Sequence, residues 1–216
     1  TCLVDSKRFE EAEVLLTEVF DERRGLLGES DPLTLSAGSE LASLNFSQKR
    51  FDDAKNMYRR ILELRSQSLG KRHLSTLASM TKVASVCYAK NELDEAEAMY
   101  RHALSGYRRT LGMSNSLTMG CVDMLARLLK QQGKFEDALQ FYEMARANFC
   151  ETLGPESPDA LNMIGSCGMC LRAMGNERKG NAMLRDAISR LRVVQRLRGD
   201  TSLDGSIAVV ASLSHL

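Results

Sequence analysis

Cysteine has the widest chemical repertoire of the residue types in this chain, and six are present. Cys167-Gly168-Met169-Cys170 has the Cys-x-x-Cys spacing used in redox chemistry and metal ligation. A zinc site needs a second pair of ligands, and His73, His102 and His215 stand at no metal-like spacing from this one. Cys167, Cys87 and Cys121 also fall in apolar columns of an internal repeat, so they read as small, reduced core residues. Irregularly spaced thiols in an otherwise well-packed chain predict a cytoplasmic protein.

The remaining chemical signals fail on spacing. Gly133-Lys134 lacks the upstream glycine of a phosphate loop, and Phe135 stands where that loop needs Ser or Thr. Neither His-Glu-x-x-His nor Gly-x-Ser-x-Gly occurs. Asn45-Phe46-Ser47 matches the glycosylation sequon but lies inside a predicted helix. No Ser, His and Asp set stands out from the repeat, so no nucleophile and base can be assigned. The sequence therefore predicts a non-enzyme with no catalytic residue, no cofactor and no bound metal.

Composition narrows the class of partner. Over 216 residues, 44% are hydrophobic and 26% charged, a soluble globular balance. Lys and Arg number 29 against 28 Asp and Glu, a net charge of +1, which argues against a nucleic-acid partner held by a broad basic face. No apolar run approaches the roughly 20 residues that span a bilayer, so no membrane insertion is expected. The first residues, Thr1 to Ser6, turn charged at once, unlike a signal peptide. With no initiator Met, a piece of a longer protein is expected. There is no Trp and only three Pro, and Leu, Ala, Met, Glu and Arg are plentiful, which favours helix throughout.

What must position any site is a repeat. Leu27-Gly28, Leu69-Gly70, Leu111-Gly112 and Leu153-Gly154 recur every 42 residues. The same step links Ala12, Ala54, Ala96 and Ala138, then Tyr58, Tyr100 and Tyr142, then Thr34, Thr76 and Thr118. Each unit reads as two helices. Asp31-Pro32 is a helix start, an oxygen that caps free amides followed by a ring whose missing N–H costs nothing; His73, Asn115 and Ser157 occupy the same column. Helix A then carries Leu35, Gly38, Leu41, Ala42 and Asn45 on one face. After a break at Gln48-Lys49-Arg50, helix B carries Phe51, Ala54, Tyr58, Ile61, Leu62 and Arg65, and stops at Gly70. Small Ala42, Ala84, Ala126 and Gly168 on helix A, with Ala54, Ala96, Ala138 and Gly180 on helix B, let helix backbones approach closely. One pair cannot bury both its faces, so neighbouring pairs must stack.

Leu41-Ala42-x-x-Asn45 followed by Ala54-x-x-x-Tyr58 resembles the tetratricopeptide (TPR) signature. A 42-residue unit with Leu-Gly, then Pro or His, then Thr-Leu is similar to the kinesin light chain type, most clearly over Leu153 to Leu161 and Gln132 to Ala138. The asparagines that precede Leu-Ala in kinesin light chains are here Ser39-Glu40, Thr81-Lys82, Asp123-Met124 and Gly165-Ser166, so that ladder is missing from every unit. The resemblance implies an all-α, right-handed α-solenoid of stacked antiparallel helix pairs, the TPR superhelix. Its expected divisions are a partial first repeat over 1–28, mainly helix B, repeats over 29–70, 71–112, 113–154 and 155–198, and a C-terminal capping helix over 199–216, all in one solenoid domain.

The resemblance also implies a concave groove lined by helix A of each repeat. Offsets from the core stripe place Ser36, Ser39, Ser43 and Phe46 there, then Ala78, Thr81, Ser85 and Tyr88. Gly120, Asp123, Arg127 and Lys130 follow, and then Asn162, Gly165, Met169 and Arg172. Hydroxyls and two aromatics give way to Arg127, Lys130 and Arg172, which would suit a peptide with an apolar and an acidic segment. Asp123 and Arg127, four apart, could instead pair along their own helix. A second charged stretch holds Arg185, Arg190, Arg192, Arg196 and Arg198 against Asp186, and reads as a solvated face near a helix C-terminus. The expected function is a non-catalytic interaction scaffold or adaptor for a protein or peptide. The alternative is a regulatory TPR module of a larger NTPase-type receptor or enzyme, contacting its own chain.

Overall fold

The computed structural model describes residues 2–198, with side chains from Phe9 onward except Glu10 and Arg198. Among these residues there are nine α-helices and no strand: α1 (Cys2–Leu27), α2 (Pro32–Ser47), α3 (Phe51–Leu69), α4 (Leu74–Ala89), α5 (Leu93–Leu111), α6 (Ser116–Gln131), α7 (Phe135–Thr152), α8 (Pro158–Ala173) and α9 (Glu177–Arg198). The capping helix expected over 199–216 lies outside the described residues.

Local chemistry fixes the helix ends. Before each first helix of a pair, one side chain accepts from a free backbone N–H. Asp31 accepts from Leu33 N at 2.8 Å, His73 Nδ1 from Ser75 N at 3.2 Å, Asn115 from Leu117 N at 2.9 Å and Ser157 Oγ from Ala160 N at 3.3 Å. The turns inside a pair need one residue with positive φ, supplied by Lys49 (62°), Asn91 (62°), Gly133 (77°) and Gly175 (83°) in one column.

Contacts divide the chain into two compact units, with the boundary between Tyr107 and Arg108. In the first, α1 packs on α2, α2 on α3 and α3 on α4. Ala42, Ala54, Ala84 and Ala96 are fully buried, and Tyr58 and Tyr100 fill the space beside them. The bulk of the core changes helix from one pair to the next. In the first pair Gly38 of α2 faces Ile61 of α3, whose Cδ1 lies 3.4 Å from where a Cβ on Gly38 would be. Leu35 packs on Ile61 and Leu64. In the second pair the same columns hold Met80 on α4, and Ala103 and Gly106 on α5. There Leu77 lies so close that a Cβ on Gly106 would come within 2.6 Å of it.

In the second unit α6 packs on α7, α7 on α8 and α8 on α9. Leu161 of α8 packs with Leu191 and Val194 of α9. Ala126, Ala138 and Tyr142 continue the buried columns. Gly168 and Gly180 replace alanine at the α8–α9 crossing, where both are buried.

Candidate functional site

The residues offset from the core stripe lie on α2 and α4 in the first unit and on α6 and α8 in the second. Most are half-buried, because in a stacked array each helix face is flanked by neighbours. On α2, Ser39 Oγ donates to Leu35 O at 2.8 Å, and on α4 Thr81 Oγ1 donates to Ala78 O at 2.8 Å. Ser43 hydrogen-bonds the Tyr58 hydroxyl, whose pKa burial raises and Ser43 lowers. Ser85 Oγ lies 2.8 Å from the Tyr100 hydroxyl and donates to Thr81 O at 2.9 Å. Two of the serines expected to present hydroxyls to a ligand therefore satisfy the polar ends of the core tyrosines. The Phe46 ring sits 5.5 Å from that of Phe51, tilted by 57°. Tyr88 is half-buried on the same face of α4, and Ser36 of α2 is exposed.

In the second unit Arg127 Nε meets Asp123 at 2.9 Å, with the guanidinium side chain 58% exposed. The intrahelical pairing weighed from the sequence thus forms. The other oxygen of Asp123 is buried with no hydrogen-bond partner. Lys130 is half-buried and close enough to α8 for its charge to act on Cys170, whose thiol pKa burial raises and Lys130 lowers. Asn162 and Arg172 are half-buried on α8. Met169 packs against Leu184 and Ile188 of α9. Gly165, expected on the exposed face, is buried. With no side chain it does not reach past its half-buried column-mates Ser39, Thr81 and Asp123.

The cysteines lie where packing needs them. Cys87, Cys121, Cys167 and Cys170 are buried free thiols, and burial pushes Cys121 and Cys167 up to about 12. Asn45 of the sequon is buried and accepts from Arg50 Nη2 at 2.5 Å. The C-terminal arginine stretch divides: Arg185, Arg192 and Arg196 are exposed, whereas Arg190 is committed. Its guanidinium reaches Glu156 at 2.7 and 3.2 Å, Pro155 O at 2.9 Å and Asp186 at 3.1 Å, tying α9 to the turn before α8. The Arg198 side chain lies outside the described ones.

One charged cluster escaped the sequence reading. The Sγ of Cys87 and carboxylate oxygens of Glu92 and Glu95 lie within 4.8 Å of one another, a set that could hold a metal ion. A cation of the chain already serves them. Lys55, buried on α3, donates to Glu92 and, at 3.0 Å, to Glu95. Arg59 also pairs with Glu95, and Lys90 bridges Asp52 at 2.6 Å and Glu92 at 3.0 Å. Hydrogen bonds from Lys55 and then Lys90 hold Glu92 down to about 2. Burial pulls the Lys55 pKa down, but its two carboxylate partners outweigh that and raise it. The cluster is a strut between α3, the turn before α5 and the start of α5.

The family model for the tetratricopeptide repeat matches residues 34–109 and 118–203. No curated relative matches the chain. Among solved structures, the kinesin light chain-designated, nearly identical TPR-like repeats of Podosopora anserina share 21% identity. That match covers 89% of this chain and 91% of that one, with a TM-score of 0.79. BtubC (BKLC) of P. vanneervenii shares 22%, covering 88% of this chain and 76% of that one, with a TM-score of 0.79. The Rap conjugation gene regulator of plasmid pLS20, solved with the Phr* peptide, shares 14%, covering 98% of this chain and 55% of that one, with a TM-score of 0.67.

Proposed function

The chain belongs to the tetratricopeptide repeat family, an all-α solenoid of helix pairs, and from that premise we propose that it is a non-catalytic scaffold that holds a peptide segment against the first helices of its pairs. The observation that carries the reading is on α6. The Arg127 side chain is 58% exposed even while its Nε meets Asp123, so its guanidinium is accessible to a partner. Lys130 stands on the same helix, and α8, which Lys130 approaches, carries Arg172. These cations suit an acidic segment through charge-assisted hydrogen bonds. The Asp123–Arg127 pair does not block this, since an i,i+4 pair on a helix surface contributes only about 0.3 kcal/mol. In the first unit, taken by itself, Phe46 of α2 and Tyr88 of α4 offer aromatic surface for an apolar side chain of a ligand. The Rap structure, described in complex with a peptide, supports a peptide as the ligand of such a fold. Cysteines used as buried packing residues suit a cytoplasmic setting.

The test is an array of synthetic peptides rich in Asp and Glu, probed with the full chain. A bound member should lose at least tenfold affinity in Arg127→Glu/Arg172→Glu, and should weaken as salt rises. Arg192→Glu/Arg196→Glu, on exposed positions of α9, should bind like the wild type. If the first double variant binds normally and the second does not, the functional surface is the α9 arginine face and this reading fails.

A further inference from the structure

An apolar pocket of about 130 Å³, half open to solvent, lies in the first unit where α1, α2 and α3 meet. Phe20 of α1, Leu35 and Gly38 of α2, and Met57, Ile61 and Leu64 of α3 form its walls. The repeat explains why it exists. The Gly38 column carries Met80, Val122 and Ile164 in later pairs. In those pairs a side chain leaves helix A at this place, and Met80 and Val122 are buried. In the first pair no side chain leaves helix A here. The ring of Phe20 and Ile61 close over Gly38 itself, within 3.0 and 3.4 Å of where a Cβ would stand, and the pocket is the space left beside them and Leu64.

The polar groups at the mouth are turned away from this space. Arg60 spans from α3 to the turn before α2, bonding both oxygens of Glu29 at 2.9 and 2.7 Å, and Glu63 at 3.0 Å. Its donors are thus directed at carboxylates on the rim. The rim pairs are about half exposed, and exposed ion pairs are individually weak, so they can part to admit a ligand. A water molecule inside needs two to four polar partners, which these walls do not provide. A charged ligand would lose its hydration with nothing in exchange. An enclosed dry cavity of roughly 150 Å³ lined by Leu, Ile and Phe takes up benzene; this pocket has a similar volume and lining but is open at its mouth.

We propose that the Gly38 cavity is a binding site for one small neutral apolar molecule, of the size of a benzene ring or a branched four-carbon chain. It is separate from the first-helix faces assigned to a peptide, and either can fail without the other.

Benzene and phenol are the probes, applied to the full chain. Benzene at ten times its dissociation constant should raise Tm by about 3 °C or more and shift the methyl resonances of Leu35, Ile61 and Leu64. Phenol, nearly the same shape with a hydroxyl to bury, should bind at least tenfold more weakly. Gly38→Met, which restores the side chain of the next pair, should abolish the benzene response. A Cβ on Gly38 would meet Phe20 Cε2 at 3.0 Å, so that variant requires the ring to shift. If it does not fold, Leu64→Phe fills the cavity from α3 and must give the same loss. The proposal is overturned if benzene gives no saturable shift in the wild type, if phenol binds equally well, or if a folded cavity-filling variant binds benzene as before.

Discussion

Gly168 and Gly180 face each other across the α8–α9 crossing so closely that neither helix has room for a methyl group. A Cβ on Gly180 would stand 2.6 Å from the Gly168 carbonyl oxygen, and one on Gly168 would stand 2.9 Å from that of Gly180. Both contacts are to backbone, which cannot rotate away. Gly180→Ala should therefore destabilise the second unit by roughly 1–3 kcal/mol, the cost of overpacking, despite the better helix propensity of alanine. Gly120→Ala is the matched control. Gly120 lies within α6 with open space around it, and there alanine should stabilise by about 0.5–1 kcal/mol. Urea unfolding of the two variants should give opposite signs; a shared sign would contradict the close crossing.

Ala96 makes a parallel case in the first unit, where it is fully buried on α5. Ala96→Leu should cost roughly 1–3 kcal/mol. An unchanged melting temperature would mean that the small-residue column does not set the spacing of the helices.

The turn inside each pair allows a test of backbone strain. Lys49 and Asn91 both hold φ of 62° where the later pairs use Gly133 and Gly175. Lys49 is exposed, so a glycine there loses little packing. Lys49→Gly should raise stability by about 0.5–1 kcal/mol, the left-handed strain relieved less the extra freedom of the unfolded glycine. Asn91→Gly should gain less, because asparagine tolerates this conformation better. A loss of stability in Lys49→Gly, measured by thermal unfolding, would refute the strain.

The Lys55 cluster predicts an acid dependence. The Glu92 carboxyl lies near 2 in the fold against 4.5 for the free side chain. A depressed pKa stabilises the fold fully above about 4.5, and that contribution is lost as pH falls toward 2. Lys55→Met removes the largest cause of the depression and leaves Lys90 in place, so the fall in stability between pH 5 and pH 2 should become shallower. Equal acid slopes for the two proteins would show that Lys55 does not hold Glu92.

The period, the helix pairs and their ends could be read from the sequence because each is written in local chemistry: an Asp31-Pro32 cap, a Leu69-Gly70 stop, a tyrosine every 42 residues. The use of the exposed columns could not. Ser43 and Ser85 stand in the right columns to face a ligand, yet their hydroxyls turn toward Tyr58 and Tyr100. Side-chain direction of that kind has no signature in spacing. The Lys55 strut was hidden for another reason. Its partners lie 37 and 40 residues away, and its own column reads Lys55, Glu97, Leu139 and Asn181, so it does not repeat. Arg190 looked like one of a run of solvated cations until Glu156 and Pro155, 34 and 35 residues back, came into contact with it.

The exchange of bulk between the first two pairs bears on how such a gene can be rearranged. A crossover placed within a pair would join Met80 to Ile61 and Leu64, crowding three large side chains into one seam. The reciprocal product would join Gly38 to Ala103 and Gly106, leaving the seam short of bulk beside Leu35. Repeats with the same length and the same outline are thus not interchangeable by halves. Each first helix is matched in volume both to the helix before it, as Gly38 is to Phe20, and to its own partner, as Gly38 is to Ile61, so an exchange of units is tolerated only where both seams are repacked.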